Sequence, residues 1–133
     1  ALRHTSLDLR DYANLLNLSE GFTVAEIPVR SRDWLAGKRL WEANLLGEGV
    51  VVLAIRRENG DYVGVPTGND LICAGDLLVV YGQDQRVDSI QKRERGASGE
   101  AGHMEAVEKE SERLRRQEIR EQRRERDQRA QQT

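Results

Sequence analysis

Basic side chains at the ends of apolar segments are the residues best placed for chemistry. Arg30 and Arg32 follow the run from Phe22 to Val29, Lys38 and Arg39 enter the next apolar stretch, and Arg56 and Arg57 close the run from Val50 to Ile55. Guanidinium groups brought together by a sheet, for example across a seam between two copies, could grip an anion such as a phosphodiester. The competing reading is a set of solvated element ends on a surface with about as many acids. Nucleophilic and acid–base chemistry has less to work with. His4 and His103 are the only histidines and both lie in polar flanks, where a lone histidine is more often solvated than a base. Cys73 is the single cysteine; it reads as buried filler with no histidine near it in sequence to activate it. One cysteine allows neither an intrachain disulfide nor a cysteine-based zinc site. Asp61, Asp70 and Asp76 stand beside glycines or in turns, which suits carboxylates that accept nearby backbone donors better than a metal cluster. Gly47-Glu48-Gly49 lacks the third glycine of a dinucleotide fingerprint, and no phosphate-binding Gly-Lys-Ser/Thr follows any glycine run. No cofactor is expected, and no enzymatic activity.

The elements that must position these residues occupy the middle of the chain. Apolar residues concentrate between Phe22 and Ile90, leaving a core-forming part of about 70 residues, whose stability alone is marginal and for which self-association is the default expectation. Residues 5–17 carry an amphipathic helical pattern through Leu9, Tyr12, Leu15 and Leu16. Phe22 to Val29 alternates like a strand, near an edge because Pro28 cannot donate to a ladder. A second helix is expected after Ser31 or Asp33, with Trp34, Leu40 and Trp41 on one face as core or interface residues; Gly37 weakens its start and allows a turn followed by a helix over 38–45. Val50 to Ile55 is β-branched and reads as a central strand. Asn59-Gly60 marks a hairpin to Tyr62–Val65, which ends at Pro66, and Thr67–Asp70, with Asn69, forms a further turn. Gly75 and Asp76 turn the chain into the strand Leu77–Tyr81, and a last helix starts at Asp84. The result is an α+β unit of order β-α-β-β-β-α, with a mostly antiparallel sheet and helices on one face, preceded by a short helix and followed by a charged helical or disordered tail.

The flanks divide accordingly. Residues 1–21 form a leading linker helix, 22–95 the domain, 96–103 a flexible Gly/Ser/Ala linker, and 104–133 a tail rich in Arg, Glu and Gln. That tail has no Gly or Pro through residue 130, so its helix propensity is high, but its apolar seam is too short for a stable coiled coil. Residues 1–103 hold 12 Lys/Arg against 15 Asp/Glu, and residues 104–133 hold 9 against 8. Neither part has the single-sign field of a nucleic-acid binder, and none is expected as a partner. The longest apolar run, Val50 to Ile55, falls far short of the roughly 20 residues that span a bilayer.

Five pieces in order carry a resemblance: Phe22–Val29, Leu35–Leu40, Val52–Arg57, Pro66, and Ala74–Gly82. Together, over about residues 20–92, they resemble the C-terminal domain of regulators of potassium conductance, the TrkA-C domain. The resemblance implies a homodimerising regulatory domain of a potassium or other ion transport system. It would lie at the cytosolic face of the membrane, as part of, or bound to, a transporter or channel. It also implies a small anionic effector such as a cyclic dinucleotide, for which Arg30, Arg32, Arg56, Arg57, Pro66 and Asn69 are candidates. The alternative is a ligand-free dimerisation module whose charged tail recruits a partner.

Overall fold

The computed structural model describes residues 21–132. The helix expected over residues 5–17 lies outside the described residues. Four strands build the domain: β1 (Phe22–Pro28), β2 (Val51–Arg56), β3 (Tyr62–Gly64) and β4 (Leu77–Gln83). They form one sheet of order β1-β4-β2-β3, and every pairing is antiparallel. This is the α+β architecture the sequence pattern predicts. β4 is central because Leu78 and Val80 are fully buried on alternate positions while β1 and β2 flank it. Pro28 sits at the end of the edge strand β1, where its missing donor costs no ladder bond.

A bulge between Val52 and Ala54 interrupts the β2–β4 register. The extra residue lets both Ala54 and Ile55 face the core, and leaves Val51 and Leu53 substantially exposed. The core itself is Ile27, Val29, Trp34, Leu35, Leu45, Val50, Ile55, Ile72, Leu78, Val80, Val87 and Ile90.

Two helical segments differ in extent from those expected. Of the two readings of the chain after Ser31, the turn followed by a helix holds: the segment bearing Trp34 is not helical, and helix α1 is the single turn Leu40–Ala43, shorter than the 38–45 expected. Residues 34–40 spend their backbone donors elsewhere: Trp34 N–H donates to Arg93 O, Gly37 N–H to Ile72 O and Leu40 N–H to Asp70 O. These pairings tie the segment to distant chain and outcompete the local i−4 ladder. The two tryptophans consequently part company, Trp34 being 1% exposed and Trp41 64%. Leu40 packs partly buried against the core. After α1, a 3-10 turn (Leu46–Glu48) leads into β2.

Helix α2 (Asp84–Lys92) buries Val87 and Ile90, and helix α3 runs from Ala97 to Gln132. The expected flexible linker over 96–103 is therefore corrected: from Ala97 it is the start of α3. Its small residues serve close approach. A Cβ on Gly99 would collide with the carbonyl of Glu94 and lie 2.8 Å from Trp34 Cδ1, so only glycine lets α3 sit down here.

Candidate functional site

Two features stand out on this framework: a buried polar node beneath α3 and an apolar groove beside α1. The node is centred on Glu48, whose side chain has no solvent exposure. Arg93 donates to it through both Nη1 and Nη2, each at 2.8 Å, and His103 Nδ1 lies 2.6 Å from Oε2. A carboxylate facing a bidentate guanidinium can only accept, so the His103 proton is assigned to Nδ1. Trp34 forms the wall. Its ring lies 4.8 Å from the His103 ring, Arg93 Cζ stands 4.8 Å and Lys38 Nζ 4.5 Å from its centroid, and its Nε1 donates to Glu100 Oε1 at 2.8 Å.

One turn further along, Arg86 Nη1 donates to the carbonyls of Glu48 and Ala106, both at 3.1 Å. The buried Glu110 accepts from Arg113 at 2.8 and 2.9 Å. Glycine is again required beneath the helix: at Gly49 the backbone has φ +83°, and a Cβ would lie 2.7 Å from the Glu110 carboxylate. The first half of α3 is thus bound to the domain by His103 on Glu48, by Glu100 on Trp34 and Lys38, and by Glu110 on Arg86, the two ion pairs at 3.7 Å. A buried pair of this kind is a weak source of net stability but a costly one to half-remove.

The groove has a volume of about 340 Å³ and is lined by Leu40, Trp41, Asn44, Leu45, Leu46, Val50, Val51, Val52, Pro66, Thr67 and Gly68. Trp41, Leu46, Val51, Leu53 and Val65 are large apolar residues left exposed in the chain segments that form and flank it. Exposed apolar side chains this concentrated mark an interaction surface more often than chance.

The candidate effector residues divide between two places. Arg30 and Arg32 follow β1, and Arg56 and Arg57 close β2, at the sheet end where Pro28 and Arg56 both register with Leu77. Arg30 pairs with Asp33 at 3.2 Å, and Arg57 donates at 2.6 Å to Asp76, so both cations already serve the fold. Arg32 and Arg56 are exposed at this end. Pro66 lines the groove, whereas Asn69 offers its carbonyl to Arg39 at 2.6 Å. The six positions therefore do not form a single cluster. Asp76 is buried and also accepts from Cys73 N–H at 2.7 Å, while Gly75 adopts φ +93° ahead of it. Cys73 is exposed, contrary to the expectation of buried filler, because it lies in this turn instead of in β4. His103 is likewise mostly buried on Glu48, not solvated in a flank. Among the described residues no group of three or more His, Cys, Asp and Glu could hold a metal ion, and no helix is long and apolar enough to cross a membrane.

Sequence reasoning missed the node. Glu48, Arg93 and His103 lie 45 and 55 residues apart. The one local signal was a glutamate flanked by two glycines, which is a backbone pattern and not a charge pattern.

These features define a small antiparallel α+β domain with a packed core, an open apolar groove beside α1 and a buried polar node beneath α3. The model of the TrkA-C domain matches residues 24–94, more than half of the chain, and the chain belongs to that family. Among solved structures it is similar to a GsuK channel bound to NAD, at 25% sequence identity and a TM-score of 0.46, over 56% of this chain and 14% of that one. It is similar also to the GsuK RCK domain, at 26% identity and a TM-score of 0.43, over 54% and 16%. The chain thus spans only a small part of those proteins. No curated protein matches it.

Proposed function

We propose that this chain is a cytosolic regulatory domain of a potassium or other ion transport system, and that it acts by pairing with a second copy through the groove beside α1. Membership of the TrkA-C family supports the regulatory reading. The observation that carries the pairing is the concentration of exposed apolar residues, Trp41, Leu46 and Val51, around a groove that also holds Pro66. Burying such side chains is worth about 25 cal/mol per Å² of apolar surface, which a small core uses well. A small anionic effector, such as a cyclic dinucleotide, would act by favouring one geometry of the pair. Of the cations considered, Arg32 and Arg56 are exposed and form no salt bridge to a described residue; Arg30 and Arg57 are engaged by Asp33 and Asp76.

Sedimentation equilibrium tests the pairing: the wild-type chain should associate with rising concentration, and Leu46→Asp should remain monomeric. Association that ignores Leu46→Asp, or none at all, would remove the groove reading. Equilibrium dialysis against cyclic di-AMP tests the effector separately; absence of binding at saturating concentration leaves pairing alone.

A further inference from the structure

The groove and the node share one piece of chain. Leu45 and Leu46 line the groove, and Glu48, two residues on, holds the node under α3. The turn between them is stiff. Gly47 N–H donates to Asn44 O and Oδ1, Glu48 N–H to Leu45 O, Gly49 N–H to Leu46 O and Val50 N–H to Leu45 O, all between 2.9 and 3.2 Å. Val50 follows with one side in the core and another on the groove. Outside the sheet, α3 contacts this turn more extensively than any other element, and Gly49 and the Glu48 carbonyl are part of that contact.

We infer that occupancy of the groove is reported to α3 through the turn Leu45–Val50, with Glu48 as the positioning residue that converts displacement of the turn into a looser or tighter hold on Arg93 and His103. The inference rests on the groove reading above and adds what that reading regulates. A stiff turn cannot absorb a push on Leu46 locally. Glu48 holds α3 itself through His103, and its bidentate bonds to Arg93, which precedes α3 and packs beneath it at Gly102, are intolerant of small shifts because two parallel N–H···O bonds must stay aligned. Coupling of this kind is reciprocal: whatever groove occupancy does to the hold on α3, loosening that hold must do to groove occupancy by the same factor.

Amide hydrogen exchange of the full chain reads the hold on α3 directly, with residues 98–113 as reporter and β4 as internal control. Gly47→Ala perturbs the turn without needing any occupant, since the new Cβ would displace the Asn44 side chain, 2.5 Å away, and with it the acceptor of Gly47 N–H. Exchange over 98–113 should rise at least about fivefold while β4 amides stay protected. Asn44→Ala, which only removes the side-chain bond to Gly47, is the gentler variant should Gly47→Ala lose the fold. Unchanged exchange over 98–113 in a folded variant overturns the inference. In a second arm, wild-type chain is compared below and above its association midpoint, with Leu46→Asp as the unoccupied reference. Association through the groove without any change over 98–113 overturns the coupling and leaves the groove standing. Altered exchange over 98–113 on association of the wild-type chain, together with weakened association of Glu48→Gln, supports it. An absent association is a failure of the groove reading, and the Gly47→Ala arm still decides whether the turn governs α3.

Discussion

The two halves of α3 are chemically alike and structurally opposite. Up to Arg113 the helix buries Gly99, Ala106 and Glu110, and it supplies Glu100 and His103 to Trp34 and Glu48. From Leu114 to Gln132 every residue is exposed, and the described charge pairs are surface ones such as Arg116–Glu112 and Arg124–Glu121. Both halves are rich in Glu and Arg. What differs is whether the domain offers a partner of fixed geometry. In the first half, charge is a docking device; in the second it sustains helix propensity and little else. The same amino acids thus contribute tertiary structure only where a wall such as Trp34 and a buried acid such as Glu48 wait for them.

That contrast can be broken most severely at Glu48. Glu48→Ala should cost about 3–5 kcal/mol in urea unfolding, because Arg93 is left buried without its counter-ion; a loss below roughly 1 kcal/mol would mean that water satisfies Arg93 and the node is not tight. Gly99→Val comes next, at about 1–3 kcal/mol, since the added side chain must push Glu94 or Trp34 aside. Its fluorescence should report the change, as Trp34 loses its cover while Trp41 is already exposed. The smallest effect belongs to the projecting half. A chain ending at Arg113 should unfold within about 0.5 kcal/mol of the full chain, whereas one ending at Gly96 should be clearly destabilised. Equal stability of these two truncations would erase the distinction between the halves.

Much of the domain is legible in the sequence. The alternation in Phe22–Pro28, the β-branched run ending at Ile55 and the Asn59-Gly60 turn specify strands through local chemistry, and they form the sheet expected of them. The segment around Trp34 left helix and turn open because its backbone is held by Ile72 and Arg93, which no local window contains. Residues 97–103 were misread because glycine and alanine suggest flexibility, yet at Gly99 the missing side chain is what permits contact. At the candidate site, Trp41, expected in a core or an interface, lines the groove with Pro66, whereas Leu46 stands out only through its exposure, a property that apolar character alone argues against.

The helix that leaves the domain at Leu114 continues for 19 residues, which at 1.5 Å per residue is about 28 Å. Its length makes it a lever arm. A change of about 10° in its direction at Leu114 sweeps its far end through about 5 Å. A small change of angle at the domain thereby becomes a displacement of several ångströms at the helix end.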